Sequence, residues 1–316
     1  MYLMKYKELY SKNGSLGISS GMKGEYRAIL RGIDGREKLN TGWKPNTILD
    51  QGLSIARMQA GGITSYAAIG TSATAVDITQ VGLQGSKLGS TKSGSTVSTT
   101  NSGAPNYERV FTRSWTWLTG DGTGTIAEVI TMTGFGDAAA DACVRFVLTA
   151  PIVKGAVDQL TIEHRMTIYP DIVDATGVID ISGVDYAYVM RHYNVDSFVS
   201  SGVGVYFLND PDYHTLGNGS LNAITGARPT VTGRTKASSQ VITTGGVLGT
   251  YYINAEAIWS IDQGTGDWNC GTVDNAWSFG LLQYSLAKVS DGTPLTKENT
   301  HELRLNIRLY PQRYVP

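Results

Sequence analysis

The chain has 316 residues, with 26 lysines and arginines against 27 aspartates and glutamates, for a formal charge of −1. That balance argues against a nucleic-acid partner, because phosphate binding rests on a basic excess. No apolar run approaches the ~20 residues of a membrane-crossing helix, so no membrane partner is expected either. With 38 glycines, 17 tyrosines and 9 prolines, the composition suits short strands and tight turns better than long helices.

The first 23 residues read as a polar N-terminal segment, and the charges inside MYLMKYKELYSKNG do not suit a secretory signal. Residues 24–43 read as a hairpin: Tyr26, Ala28 and Leu30 alternate with charges, and Asp34-Gly35 is a turn signal. Over 47–58 the spacing of Leu49, Leu53 and Ala56 predicts a short helix with Asn46 as its cap. Residues 85–103 are almost purely Gly, Ser, Thr and Lys. Such a stretch buries too little apolar surface to order alone, and it is expected to be a mobile loop or an arm ordered by a neighbour. Strands follow from Tyr107, ending in 159–170, where Leu160, Ile162, His164, Met166 and Ile168 share one face.

The second half replays this order. Ser182 followed by Val184, Tyr188 and Arg191 predicts a second helix over 183–193, SFVSSGVGVYF parallels SYAAIGTS, and residues 216–239 form a second Gly/Ser/Thr/Lys arm. WTWLTGDGTGT (115–125) has a counterpart in WSIDQGTGDW (259–268), 144 positions from Trp115 to Trp259. Pro151 and Pro294 each precede a lysine by three residues and lead into a strand that closes on Tyr-Pro, at Tyr169 and Tyr310. The offsets are 143 at the prolines and 141 at the tyrosines. The expectation is an internal duplication. It gives an all-β, mainly antiparallel fold of two tandem β-sandwich or jelly-roll-like units with short helices, dividing as 1–23, 24–175 and 176–316.

The first copy carries Trp43, Asn46, ILDQGL (48–53), AAIGTSATAV (67–76), TIAEV (125–129) and MTIYP (166–170). In these motifs it resembles virion proteins of tailed bacteriophages, of the tail-fibre, tail-appendage or minor structural type. The resemblance runs through 24–170 and faintly through 180–312. It departs from the pattern at the insertion 85–103 and in having a second copy.

Little chemistry is legible. Cys143 and Cys270 lie in no CxxC pair and read as buried small apolar residues. His164 reads as a core or inter-subunit histidine. Asp210, Asp212 and His214 could together grip a divalent ion, although Asn, Asp and Pro in NDPDYH also make an ordinary polar turn. The glycine-rich GDGTG and GTGD are turns, since neither has the context of a nucleotide loop. No catalytic residue and no cofactor is expected. The rings could line a carbohydrate groove or fill a core and its interfaces. Lys87, Lys92, Arg228, Arg234 and Lys236 on the arms, with Trp115 and Trp259, are the interface candidates. The function expected is non-enzymatic: a structural protein of the phage virion, in tail or neck, made in the host cytoplasm and contacting itself, as trimer or hexamer, and other tail or neck proteins. The alternative is a tail adhesin or lectin recognising host-surface glycan. A polysaccharide-degrading tail enzyme is a third, weaker reading.

Overall fold

The computed structural model describes residues 7–59, 62–102, 107–134, 138–193, 214–223, 226–245, 251–273 and 281–314. In chain order the first half holds β1 (Lys7–Asn13), β2 (Leu16–Arg31), β3 (Glu37–Asn40), β4 (Lys44–Ile48) and α1 (Asp50–Gln59). It continues with a 3-10 turn (Gly62–Thr64), β5 (Tyr66–Gly70), β6 (Lys87–Ser93), β7 (Ser95–Ser102), β8 (Glu108–Trp117), β9 (Gly124–Met132), β10 (Val144–Lys154) and β11 (Gln159–Pro170). The second half holds β12 (Ala175–Ile181), β13 (Val184–Tyr193), β14 (His214–Asn218), β15 (Thr232–Lys236), β16 (Ser239–Gly245) and β17 (Tyr252–Trp259). Then come β18 (Gly266–Trp268), β19 (Cys270–Val273), β20 (Leu281–Lys288), β21 (Leu295–Lys297) and β22 (His301–Arg313). The protein is all-β, mainly antiparallel and sandwich-like.

One long sheet joins the halves, in the order β7–β8–β11–β2–β22–β17–β16. Its inner face alternates at period two and is mostly apolar: Leu160, Ile162 and Met166 flank the buried His164 on β11, Leu16, Ile18 and Met22 flank the buried Ser20 on β2, and Leu303, Leu305, Ile307 and Leu309 line β22. These residues belong to one core that runs through both halves. β11 is antiparallel to β2 and β22 is parallel to it, so the two flanking half-sheets point in opposite directions. Ser20 of β2 pairs with Pro170 on one side and with Pro311 on the other. The repeated Tyr-Pro of the sequence therefore marks where the two copies meet, as a half-turn about Ser20 would place it.

Away from this sheet the strands of the two halves follow corresponding orders. The first runs β8–β11–β2–β4–β10–β9–β5–β6. The second runs β17–β22–β1–β12–β13–β20–β19–β14–β15, with two strands, β12 and β13, where the first half has β4 alone. The repeated tryptophan stretch has a fixed geometry. Gly122 and Gly264 both have φ 67°, and Gly124 and Gly266 have φ 134° and 146°, conformations that favour glycine. Gly122 lies against Trp117 and Gly264 against Trp259. The structural counterpart of Trp259 is thus Trp117, not Trp115, at an offset of 142 that the Gly-Thr-Gly triplets share (264 − 122 = 142).

The repeated lysines complete the motif. Lys154 and Lys297 are both buried. Lys154 donates from Nζ to the Leu118 carbonyl at 2.9 Å, and Lys297 to the Ser260 carbonyl at 2.8 Å. Each ties the chain leaving the tryptophan strand to the strand that carries the lysine. Burial lowers both ammonium pKa values, and the carboxylates of Asp121 and Asp158, or of Asp262 and Glu302, oppose that shift.

A second anchor occupies the same place in each half with different chemistry. Glu128 of β9 and Arg145 of β10 form a fully buried ion pair, Nη2 to Oε2 at 2.9 Å. Glu128 accepts the backbone N–H groups of Ser72, Gln84 and Gly85, while Arg145 donates to Thr74 O and Gln80 Oε1. This cross-brace fixes the long 71–86 connection, which has no strand of its own. In the second half Gln283 stands on β20 where Arg145 stands on β10. It donates to the Asn222 carbonyl and accepts the Asn222 N–H, both at 2.8 Å. Asn222 lies five residues past Gly217, as Ala75 lies five past Gly70.

Several expectations change. Residues 183–193 are strand β13, not a helix. Tyr186, Met190 and His192 point inward at period two, and Ser182 and Gly183 (φ 55° and 87°) make a two-residue hairpin turn rather than a helix start. The first helix exists, but it begins at Asp50, whose carboxylate accepts from Arg313 of β22 at 2.6 Å; Asn46 belongs to β4. The 85–103 stretch is ordered within the chain, as β6 beside β5 and β7 beside β8, and much of 216–239 likewise forms β15 and the start of β16. Backbone pairing rather than apolar burial orders them. β14 pairs with β19 as β5 does with β9; residues 197–207, read as the parallel of the β5 stretch, lie outside the described residues. The N-terminal segment is likewise structural from Lys7, pairing with β22.

Replacing Arg145 by Met leaves Glu128 buried without its cation, a loss of the order of 3–5 kcal/mol. Urea unfolding should show that loss. Gln283→Met, which removes a neutral anchor, should cost about 1–3 kcal/mol.

Candidate functional site

The outer face of β2 is bare where the halves meet, because Gly17, Ser19 and Gly21 alternate there. A surface cleft of about 430 Å³ opens over this stretch, walled by Tyr310 of β22, Tyr188 of β13 and Tyr251, with Asp171, Ser19 and Gln312 as its polar groups. Its rings are half-buried. Glycine explains how they lie: a Cβ at Gly17 would come within 2.9 Å of the Tyr310 ring, and one at Gly177 within 2.7 Å of the Tyr188 ring. Tyr188 thus lies across Gly177, whereas Tyr310 meets Gly17 with the Cε2 edge of its ring. Gly177 is the direct cross-strand partner of Tyr188, as Gly245 is of Tyr252. Aromatic cover of a strand glycine is a recognised way to stabilise such a position.

The polar groups are held in place. Asp171 accepts from Ser19 Oγ at 3.1 Å through Oδ2, and from the Val173 N–H at 3.0 Å through Oδ1. Tyr252 meets Tyr310 edge-on with centroids 6.0 Å apart, and the Arg308 guanidinium lies 4.4 Å from the Tyr252 centroid. Beyond the cleft Tyr169 stacks on Tyr314 at 3.9 Å. Burial pushes the Tyr169 phenol up to about 12, with the nearby Glu108 carboxylate adding to the shift. Beneath the floor lies the buried His192, near the Ser19 backbone.

The residues singled out from sequence are not gathered at this cleft. Trp115 and Trp259 are core residues, 1% and 0% exposed, because alternation on β8 and β17 turns them inward; this corrects their place among surface candidates. Lys92 is engaged within the chain, 2.5 Å from Asp121. With Ser90 as a further donor, that contact holds the Asp121 carboxyl at about 2. Arg228 donates to Thr272 Oγ1 at 3.0 Å. Lys87 opens β6, and Arg234 and Lys236 lie exposed on β15. His214 is buried on β14, Asp210 and Asp212 lie outside the described residues, and no group of three metal-ligating side chains occurs among the described residues. Nor is any described helix long and apolar enough to cross a membrane. The sequence offers its rings for a groove or a core without singling out Tyr188, Tyr251 or Tyr310; the joint excess of Gly and Tyr is the signal they leave in it.

Comparison with protein-family models, with curated proteins and with solved structures gives no match.

Three buried histidines give the fold a pH dependence. Burial lowers the pKa of His164 and His192 to about 3 and that of His214 to about 4. Asn46 Nδ2 sits 2.9 Å from His164 Nε2 and can donate only to the unprotonated ring. Below pH 6.5 the unfolded chain takes up protons on these rings while the folded chain does not, so stability falls with falling pH until the folded values are reached. Each ring contributes up to about 1.4 kcal/mol per pH unit in that window. The urea midpoint should therefore drop steeply between pH 7 and pH 5; an unchanged midpoint would contradict neutral buried rings.

Proposed function

We propose that the protein is a non-enzymatic structural protein of a tailed-phage virion, a tail or neck subunit that works through contacts with copies of itself and with other virion proteins. The observation that carries this reading is the rigid, duplicated block. Two copies share one sheet about Ser20, and in each the long connections are tied down by buried anchors, Glu128–Arg145 and Lys154 in one, Gln283 and Lys297 in the other. Such a block transmits force and presents fixed surfaces. The phage resemblance of 24–170 agrees with it, since ILDQGL spans the start of α1 and TIAEV holds Glu128. The outer face of the shared sheet carries paired charges, including Arg165 with Glu25 at 2.7 Å and Arg27 with Glu163. A face with its charges already matched is suited to close packing of like copies. A second reading, an adhesin for host-surface glycan, is favoured by the tyrosine cleft.

Antibody raised against the purified chain should label tails or necks of intact particles in electron micrographs. Light scattering should give a trimer or hexamer in solution. Absence of the chain from purified particles, or a strict monomer, would oppose the structural reading.

A further inference from the structure

The cleft at the junction has a chemistry of its own. We propose that it is a saccharide-binding site for neutral or N-acetylated hexopyranosides, with Tyr310 and Tyr188 as stacking platforms and Asp171 as the acceptor for sugar hydroxyls. The inference rests on the adhesin reading and names the ligand class and the residues that select it.

Three features converge. Half-buried phenol rings held beside glycine backbones keep a fixed orientation, and the axial C–H groups of a pyranose pack on the face of such a ring while its hydroxyls stay at the rim. Because the rings are packed closely against Gly17 and Gly177, little side-chain freedom is left to lose on binding. The carboxylate of Asp171 is aimed before any ligand arrives, its two oxygens oriented by Ser19 Oγ and the Val173 N–H, and each oxygen retains a lone pair. Ser19 and Gln312 add further polar contacts. Finally, the cleft of about 430 Å³ falls within the range of small-molecule sites.

Charge decides between sugars. Among the described residues of the lining, Asp171 is the sole charged one. An acidic sugar brought beside it would meet a like charge without a lysine or arginine to answer it, whereas a neutral hydroxyl donates to it. The cleft should therefore reject uronate sugars.

The test uses the full chain and a panel of defined trisaccharides: neutral hexose trimers, N-acetylhexosamine trimers and uronate trimers, read by saturation-transfer difference NMR and calorimetry. Binding of at least one neutral or N-acetylated trimer and none of the uronates is expected. Asp171→Asn and Tyr310→Ala should each weaken it about tenfold or more, while Tyr310→Phe keeps it within about threefold. Gly177→Ala should also weaken binding by lifting the Tyr188 ring. If Tyr310→Ala fails to fold, Asp171→Asn and Tyr310→Phe carry the test. Silence across the panel, equal binding of uronates, or binding that survives both Asp171→Asn and Tyr310→Ala would overturn the proposal. Wild-type attachment of the Tyr310→Ala protein to host cells would leave an adhesin standing and overturn this cleft as its site.

Discussion

The molecule depends on a single strand. β2 pairs along twelve residues with β11, from Arg31 opposite Gln159 to Ser20 opposite Pro170, and its first seven residues pair at the same time with β22. Its inner face supplies Leu16, Ile18, Met22, Tyr26, Ala28 and Leu30 to the common core. Burying a side chain the size of Leu or Ile is worth about 1.5–3 kcal/mol. Removing β2 would open the core of both copies together. This sets the chain apart from two beads on a linker, in which neither unit would lend a strand to the other's sheet.

Duplication also shows which parts of the design tolerate drift. The tryptophan, the Gly-Thr-Gly turn and the buried lysine recur with their roles intact, because each depends on the others: positive-φ glycines bring the turn onto the indole, and the lysine holds its carbonyl. The buried ion pair of the first half did not need to recur. Glu128 sits opposite Gly70, and its counterpart opposite Gly217 is Cys270, while Gln283 stands in for Arg145. A neutral amide satisfies the loop without an ionic partner, which avoids the desolvation cost of two buried charges. The same logic separates the faces of the shared sheet: mostly apolar residues inward, matched arginines and glutamates outward, and the bare Gly17–Ser19–Gly21 run where Tyr310 and Tyr314 come close to the backbone.

The all-β class, the repeat, the Asp34–Gly35 turn and the first helix were legible because each is local. Alternation, turn residues and a recurring Trp–Gly–Lys spacing need no knowledge of the partner strands. What was not legible is non-local. VDYAYVMRHY fits a helical wheel and a strand equally well until β12 and β20 flank it. The Gly/Ser/Thr stretches bury little, so composition marks them as mobile, yet β5 and β8 supply the backbone partners that order them. The cleft was hidden for the same reason. Its residues come from β2, β13, β22 and the β11–β12 connection, and only pairing across the seam brings Tyr188, Tyr310 and Asp171 together.

Calorimetry of the intact chain tests the central claim most directly. If one strand holds both copies in one core, heating should give a single transition whose calorimetric and van't Hoff enthalpies agree. Two separable transitions, each worth about half the enthalpy, would show that the halves stand alone and would contradict the account.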